Sequence, residues 1–350
     1  MLLTLAGHNQ RPKPSVVSTT IQNHCKTWPE RVKMNCRCCG GSTNKFGKFQ
    51  NVNRIVQRYR CQRCGTTFSE TQPLDGVRVD FKQACNVVHL LCEGMGIRAI
   101  SRFTGLDTKT VMNILASAGQ KAAALLDAKI RNVKAEYVSA DELVCFVKTK
   151  QMNTDENDLE HGQFFTFISV DMFSKLIINW RTDKRTMEAC NAFMTDLRQR
   201  VPNRFQLATD ALLQYKGHAG AVQHAFGNNV DYATEQKVFN TMKPQFKNGF
   251  VPMKLIGIRK QRYIGNPRME LATTCHCERT NLSVRLFTRR FTRCTLGYSK
   301  TLDALRHAVA LFIAHFNFCR VHSAVDSTPA QAAHLTDHVW TIEEMLSETN

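Results

Sequence analysis

Two sets of side chains in this 350-residue chain have types and spacings that could do chemistry. The first set is four cysteines in two Cys-x-x-Cys-Gly pairs separated by 21 residues: Cys36 and Cys39, then Cys61 and Cys64. Each pair predicts a tight knuckle, in which backbone amides bond to the sulfurs and the following glycine permits the turn. Four thiolates at this spacing suit tetrahedral Zn²⁺, so we predict a structural zinc ribbon.

The cysteine content leaves an alternative open, because the chain holds 14 cysteines and two close pairs can arise by coincidence. Cys38 lies inside the first pair, and Cys25 is a further candidate ligand. The first ten residues have only a brief apolar run rather than a signal peptide, so we expect a reducing, cytoplasmic setting. In such a setting paired cysteines usually bind metal rather than form disulfides.

The second set is acidic and scattered along the chain. Asp141 lies within a first predicted strand (136–148), Asp210 directly follows the predicted strand 204–209, and Glu278 lies on a later predicted helix. Successive acids are separated by 69 and 68 positions. Two carboxylates that meet repel each other unless a divalent cation lies between them, and oxygen ligands suit Mg²⁺ or Mn²⁺. Two such ions can activate a nucleophile and stabilise a leaving oxygen at a phosphodiester.

The helix of Glu278 carries further polar groups on the same face, since Asn281 lies three positions on and Arg285 seven. A carboxylate and a cation two turns apart can hold a metal ion and a DNA phosphate together. Taken singly, each acid has an ordinary alternative, a strand-end residue for the two aspartates and half of a surface ion pair for the glutamate. A fourth acid, Asp171, is expected to lie in a hairpin turn.

The elements that must position these acids begin at residue 136, where predicted strands start to alternate with helices, a pattern typical of an α/β domain. The order β-β-β-α-β-α-β resembles the ribonuclease H-like core, whose first strand is central and pairs beside the strand that precedes Asp210. The other predicted elements are a hairpin pair around 171–175, helices over 186–200 and 214–226, and a fifth strand over 229–239. A long helix is predicted over 299–322, with its apolar stripe in the core.

A helix-turn-helix is predicted over 96–119, with Gly105 at the turn and Asp107 capping the second helix. The second helix would bury one face and expose the other, as a recognition helix does in the major groove. Its predicted buried residues are Val111, Ile114, Leu115 and Ala118, and its predicted outward residues are Thr108, Lys109, Met112 and Asn113. An ordinary helical hairpin is the alternative.

The net charge of +18 favours a polyanionic partner. Residues 25–70 contribute +8 and residues 241–300 contribute +11, whereas the rest of the chain sums to −1. Two concentrated basic blocks favour two contacts with a phosphate backbone, although solvated basic faces are the alternative. No apolar run approaches membrane-spanning length, so no membrane partner is expected.

The stretch 277–340, which begins CERTNLSVR and contains HFNFCR, resembles the C-terminal half of transposases of the insertion-sequence-one family. These enzymes belong to the DDE (Asp-Asp-Glu) class, and the paired-cysteine and helix-turn-helix head is similar to their DNA-binding portion. The resemblance maps Asp141, Asp210 and Glu278 onto the catalytic triad and Arg285 onto its basic position. It implies cleavage at DNA 3′ ends and strand transfer into target DNA by a prokaryotic, nucleoid-associated enzyme.

The organisation that follows is a flexible tail over 1–30, a zinc ribbon over 31–72, a helix-turn-helix domain over 73–130 and a ribonuclease H-like catalytic domain over 131–345, with an insertion around 228–275. The expected partners are double-stranded DNA, as terminal inverted repeats and as target, and further copies of the chain in a dimer or larger assembly. A catalytically silent DNA-binding repressor and a ribonuclease H-like nuclease are the rival functions.

The residues expected to contact DNA are polar or basic: Arg58, Arg60, Arg63, Thr108, Lys109, Asn113, Arg279, Asn281, Arg289 and Arg290. On the long C-terminal helix, His315 and His322 suit buried hydrogen-bonded roles better than catalysis. Asn317 and Arg320 could orient DNA or the Glu278 helix.

Overall fold

A computed structural model of the chain describes residues 35–36, 38–51, 54–69, 74, 76–155, 158–217, 219–240, 254–293 and 295–348. The expected tail over 1–30 lies outside the described residues, and so does Cys25. The chain divides into two compact units. The first, which we call the cysteine unit, is formed within Met1–Phe49 and Val56–Ser69, and the second, which we call the sheet unit, within Gln50–Ile55 and Glu70–Asn350.

The strands of the cysteine unit form one three-stranded sheet in the order β1-β2-β3. Their bounds are Thr43–Asn51 for β1, Arg54–Cys61 for β2 and Thr67–Ser69 for β3. Across the antiparallel β2–β3 pair, Tyr59 lies opposite Phe68 and their rings stack with centroids 6.0 Å apart. Such an aromatic cross-strand pair stabilises a sheet too small to bury a large core.

The sheet unit begins with three helices: α1 (Phe81–Cys92), α2 (Ile97–Thr104) and α3 (Thr108–Lys129). Gly105 adopts φ +72° at the end of α2, as expected for the turn residue. The Asp107 carboxylate accepts the Lys109 amide at 2.7 Å, as expected for the cap of the second helix. The predicted inward residues of α3 are all buried. Phe103, a large apolar residue of α2, is 74% exposed.

A six-stranded mixed sheet follows, in the order β6-β5-β4-β7-β8-β9. Its strands are β4 (Tyr137–Val147), β5 (Gly162–Asp171), β6 (Ile177–Asp183), β7 (Gln206–Thr209), β8 (Asp231–Asn240) and β9 (Lys254–Ile264). The central pairs β4–β7 and β7–β8 are parallel, and the outer pairs are antiparallel. The unit is therefore a mixed α/β structure, as predicted, with its first strand in the interior of the sheet.

The helices of the sheet unit that follow β6 are α4 (Met187–Arg200), α5 (Ala221–Phe226), α6 (Cys275–Phe287), α7 (Leu302–Ala314), α8 (Pro329–Ala332) and α9 (Ile342–Ser347). The helix predicted over 186–200 is α4, which buries Ala189, Phe193 and Leu197. The helix predicted over 214–226 is interrupted: only a 3-10 turn (Leu213–Tyr215) and α5 form. Gly217, at φ +77°, and Gly220 lie between these two pieces, and residues of that type end helices.

Within the stretch 228–275, where an insertion is expected, the structure describes two strands: β8 pairs in parallel with β7, and β9 pairs with β8 at the edge of the sheet. Residues 241–253 of this stretch lie outside the described residues. One helix prediction needs correction. The single helix expected over 299–322 is α7 followed by a π-helical turn, His315–Cys319. No helix among the described residues combines the length and apolarity needed to cross a membrane.

Helix α3 packs along α7, which joins the helical region to the sheet within one unit. Gly119 allows this close approach, since a Cβ atom there would lie 2.5 Å from the Cβ of His307. The predicted apolar stripe of α7 is buried at Leu305, Val309 and Phe312. The core of the unit thus runs from α3 through α7 to the sheet.

Candidate functional site

The four paired cysteines of the cysteine unit meet, with one sulfur from each lying within 4.8 Å of all the others. Cys36 Sγ lies 3.5 Å from Cys64 Sγ, and Cys39 Sγ lies 3.5 Å from Cys61 Sγ. Because each contact joins one knuckle to the other, the four sulfurs form a single cluster. Their number, chemistry and separation fit one tetrahedral Zn²⁺.

Backbone amides support the sulfurs as predicted. The Arg63 and Cys64 amides donate to Cys61 Sγ at 3.3 and 3.4 Å, and glycines with positive φ, Gly40 and Gly65, follow the two knuckles. Hydrogen bonding, first from the Thr66 side chain, lowers the pKa of Cys64 to about 6, which favours the thiolate that binds metal. Cys38 is exposed and stands outside the cluster.

The predicted basic contacts of the cysteine unit are exposed at Arg58, Arg60 and Arg63. The guanidinium groups of Arg58 and Arg60 lie 5.9 and 5.5 Å from the centre of the Phe46 ring. This shared ring holds two positive charges on one face of the small sheet, which suits contact with successive phosphates.

The first two predicted acids meet in the sheet unit through strand pairing. Strand β4 runs parallel to β7, with Ala140 opposite Thr209, so Asp141 and Asp210 follow at the same level. Carboxylate oxygens of Asp141, Glu142 and Asp210 all lie within 4.8 Å of one another. Such a group of oxygens fits a divalent cation, since close like charges are otherwise unfavourable.

Glu142 is the member of this group that the sequence did not reveal. Its side chain is 3% exposed, and Arg185 Nη2 lies 3.1 Å from its Oε2. Burial, and then the charge of Asp210, raises the pKa of Glu142 to about 7. The only signal in the sequence is its position next to Asp141, in the middle of an otherwise apolar strand.

Asp141 is held by the helix that carries the third predicted acid. Asn281 Nδ2 donates to Asp141 Oδ2 at 2.8 Å. Burial, together with the charges of Asp210 and Glu278, raises the pKa of Asp141 to about 6, and a backbone hydrogen bond from Glu142 and the charge of Arg285 oppose the rise. Asn281 is 4% exposed, so its predicted place on the DNA-contacting surface is wrong; its amide fixes the carboxylate instead.

Glu278 lines the same cleft as Asp141 and Asp210, a space of about 500 Å³. It stands outside the close carboxylate group, because Lys237 on β8 donates to both of its oxygens. The Thr274 hydroxyl also donates to Glu278 Oε1 at 3.2 Å. The structure therefore brings the three predicted acids to one cleft, with the third paired to a lysine that the sequence did not single out.

The start of α6 is fixed by a second residue of β8 that the sequence did not single out. Glu235 is buried, and its Oε1 accepts the Thr274 amide and the Thr273 hydroxyl, each at 3.2 Å. Lys260 lies 3.6 Å from its other oxygen. Glutamate is rarely buried in a protein unless it is paired. A glutamate within a predicted strand is therefore the sequence signal that could have identified Glu235.

Most of the other predicted DNA contacts are on the surface. Lys109, Asn113, Arg279 and Arg289 are exposed, and Thr108 is half-buried. Arg290 is half-buried as well. Its Nε donates to Ser299 Oγ at 2.8 Å, its Nη2 lies 3.7 Å from Met112 Sδ, and burial lowers its pKa to about 10.

Four polar residues of the predicted C-terminal helix, His315, Asn317, Arg320 and His322, make contacts within the protein. Asn317 is fully buried and bonds the backbone of Ile177 in both directions, at 3.0 and 2.9 Å. Burial lowers the pKa of His315 to about 4, and His322 lies 3.3 Å from the Phe316 carbonyl. The Arg320 guanidinium lies 3.6 Å from the centre of the Phe287 ring at the end of α6, so it supports the Glu278 helix.

Asp171 closes the hairpin between β5 and β6, as predicted. Its Oδ2 accepts the Ser174 amide and hydroxyl at 2.7 and 2.6 Å. It is therefore a turn residue and takes no part in the carboxylate group.

No protein-family model and no curated protein matches the chain. Among solved structures, the chain is similar to the simian T-cell lymphotropic virus intasome in complex with PP2A regulatory subunit B56 gamma, at 17% identity and TM-score 0.33, over 72% of this chain and 74% of that one.

Two further similar structures are a piggyBac transposase synaptic complex with hairpin DNA and a pre-cleavage Mos1 transpososome. The first matches at 8% identity and TM-score 0.35, over 79% of this chain and 72% of that one. The second matches at 11% identity and TM-score 0.19, over 43% of this chain and 58% of that one.

Proposed function

We propose that this protein is a DNA transposase of the DDE class that uses divalent metal ions to cleave DNA at transposon ends and to join those ends to target DNA. The observation that carries the proposal is the carboxylate group of Asp141, Glu142 and Asp210, within 4.8 Å of one another, in a cleft also lined by Glu278. Buried acids this close are costly without a cation.

The chain's own residues would act as follows. Asp141 and Asp210 hold the ions, and Glu278 completes the set from α6. Bound Mg²⁺ or Mn²⁺ would supply an activated nucleophile, water or a DNA 3′ hydroxyl, and would stabilise the departing 3′ oxygen. Asn281 keeps the Asp141 carboxylate oriented, and Arg285 places a positive charge near the scissile phosphate.

The basic surfaces would bind double-stranded DNA. The cysteine unit, stabilised by Zn²⁺, offers Arg58, Arg60 and Arg63 to phosphates of the terminal repeats. The exposed residues at the start of α3, Lys109 and Asn113, would reach base edges in the major groove. Since two transposon ends must be cut together, we propose that the protein acts as a dimer or larger assembly.

Two rival functions lead to different expectations. A catalytically silent repressor would have no need of Asp141, Asp210 and Glu278 in one cleft, so the complete set favours an enzyme. A ribonuclease H-like nuclease would use the same acids. The resemblance of 277–340 to the insertion-sequence-one family favours transposition over simple cleavage.

A strand-transfer assay with Mg²⁺ and end-bearing DNA tests the proposal. We expect Asp210→Asn to lower the rate roughly a thousandfold or more, a loss of about 4 kcal/mol in transition-state stabilisation. Asp171→Asn is the matched control, since Asp171 lies at the end of a core strand and its carboxylate accepts from Ser174 within the turn, and we expect it to retain activity. Persistence of strand transfer in Asp210→Asn would refute the assignment, and a wild type that cuts without joining would favour the nuclease.

A further inference from the structure

Two charged residues of strand β8 contact the start of helix α6, which carries the third acid, Glu278. Glu235 and Lys237 are two positions apart, so they share one face of the strand. Glu235 holds the N-terminal turn of α6 through Thr274, and Lys237 binds Glu278 one turn further on. The position of the Glu278 carboxylate is therefore set from β8.

The contact between Lys237 and Glu278 differs from an ordinary surface ion pair in its location. Both residues line the cleft of Asp141 and Asp210, and their side chains are only 28% and 42% exposed. The ammonium group donates to both carboxylate oxygens, and Thr274 donates to one of them. These donors occupy the lone pairs that Glu278 would offer to a metal ion.

The same pairing explains why Glu278 is separate from the carboxylate group. Oxygens of Asp141, Glu142 and Asp210 lie within 4.8 Å of one another, and Glu278 is not among them. A cation shared with Asp141 or Asp210 needs Glu278 to turn away from Lys237. Metal and lysine thus compete for one carboxylate.

We propose that Lys237 is a stand-in cation, which neutralises Glu278 in the metal-free protein and must release it before the metal site is complete. The inference rests on the proposed function, because it needs a metal site at Asp141 and Asp210. Once released, the ammonium group stands at the cleft where a DNA phosphate would lie, so DNA binding favours the release. Lys237 is a positioning residue in this scheme, since it acts through Glu278.

Binding of Mn²⁺ to the full chain, measured by the electron paramagnetic resonance signal of free Mn²⁺, tests this proposal without any assay of activity. We expect Lys237→Met, which keeps the aliphatic stem and removes the charge, to bind Mn²⁺ about fivefold more tightly than wild type in the absence of DNA. Lys237→Arg retains the positive charge and should stay close to wild type.

Lys254→Met is the matched control, because Lys254 is exposed on β9, the strand next to β8, and lines no part of the cleft. It should leave Mn²⁺ affinity unchanged. A short DNA duplex should tighten Mn²⁺ binding in wild type and in Lys254→Met, and should tighten it less in Lys237→Met, since linkage between two ligands is reciprocal.

Two results would overturn the proposal in distinguishable ways. If Lys237→Met binds Mn²⁺ as wild type does, or more weakly, while Asp141→Asn abolishes binding, the metal site stands and Lys237 is an ordinary ion-pair partner. If wild type and every variant fail to bind Mn²⁺, the proposed metal-dependent function falls, and the stand-in role falls with it. Thermal unfolding of each variant shows whether a change in affinity reflects loss of structure.

Discussion

The two clusters of candidate metal ligands in this protein are assembled in opposite ways. In the cysteine unit, four sulfurs come from two knuckles that each span four residues, and local backbone amides and glycines hold them. In the sheet unit, the acids lie 69 and 68 positions apart and meet only because β4, β7 and α6 pack together. The first cluster shapes its own surroundings, whereas the second depends on the whole fold.

The clusters also differ in how they behave without metal. Hydrogen bonds lower the pKa values of Cys61 and Cys64, whereas hydrogen bonds with the neighbouring sulfurs raise the pKa of Cys39. In the sheet unit, burial and mutual repulsion raise the pKa values of Asp141 and Glu142. We therefore expect the cysteine unit to need its metal for folding and the sheet unit to fold without one.

The largest expected effect is loss of the cysteine unit's fold in Cys61→Ser. Removal of one of four ligands should abolish structural Zn²⁺ binding, which is worth about 10–16 kcal/mol in comparable small units. Zinc content and hydrogen exchange of the β2 amides measure the loss. The sheet unit should keep its protected amides, and Cys38→Ser should behave as wild type because Cys38 stands outside the cluster. A folded, zinc-loaded Cys61→Ser protein would remove the contrast between the two clusters.

The next effect concerns pH and Glu142. The pKa of Glu142 is raised to about 7 from 4.5, so the folded sheet unit binds a proton more tightly than the unfolded chain does. Its contribution to stability is fully present below pH 4.5 and is lost as the pH rises through 7. At 1.36 kcal/mol per pKa unit, Glu142→Gln should relieve a cost of about 3 kcal/mol at neutral pH.

Urea unfolding of the sheet unit at pH 4.5 and pH 7.5, without added divalent cations, measures this difference. Wild type should lose stability relative to Glu142→Gln as the pH rises, and added Mg²⁺ should reduce the gap at the higher pH. If the free energy of unfolding changes with pH in the same way in the two proteins, the pKa of Glu142 is not raised in the folded state.

The smallest effect is on DNA affinity through the cysteine unit. Because Arg58 and Arg60 are exposed beside Phe46, the double change Arg58→Gln and Arg60→Gln should weaken binding to duplex DNA regardless of its sequence. The slope of log affinity against log salt should fall by about two, one for each lost phosphate contact. An unchanged slope in a fluorescence-anisotropy titration would mean that these arginines do not contact DNA phosphates.

The same contrast determines how much of the molecule could be predicted from sequence. The cysteine cluster could be predicted because its ligands and glycines are neighbours in the chain. The meeting of Asp141 and Asp210 could be predicted because strand order fixes which strands pair. Glu142 could not, since alternation along β4 sends it to the opposite face from Asp141, and only the end of β7 brings Asp210 within reach of both.

Other errors have a similar physical origin. Helical spacing correctly groups Glu278, Asn281 and Arg285 on one face of α6, but it does not say what packs against that face, and Asn281 proves to be buried against Asp141. The contact of Arg290 with Ser299, nine positions away, also has no local pattern that predicts it. Lys237 has no local pattern that connects it with Glu278, 41 positions away.

The contact of Gly119 with His307 has a mechanical consequence. Because the two helices are in close contact at this point, we expect α3 and α7 to move together. Helix α7 continues into the π-helical turn, where the Asn317 side chain bonds the backbone at the start of β6. A displacement of α7 would therefore also displace the sheet. If DNA binds the first turn of α3 as proposed, a force exerted there would be transmitted to the strands that hold the acids.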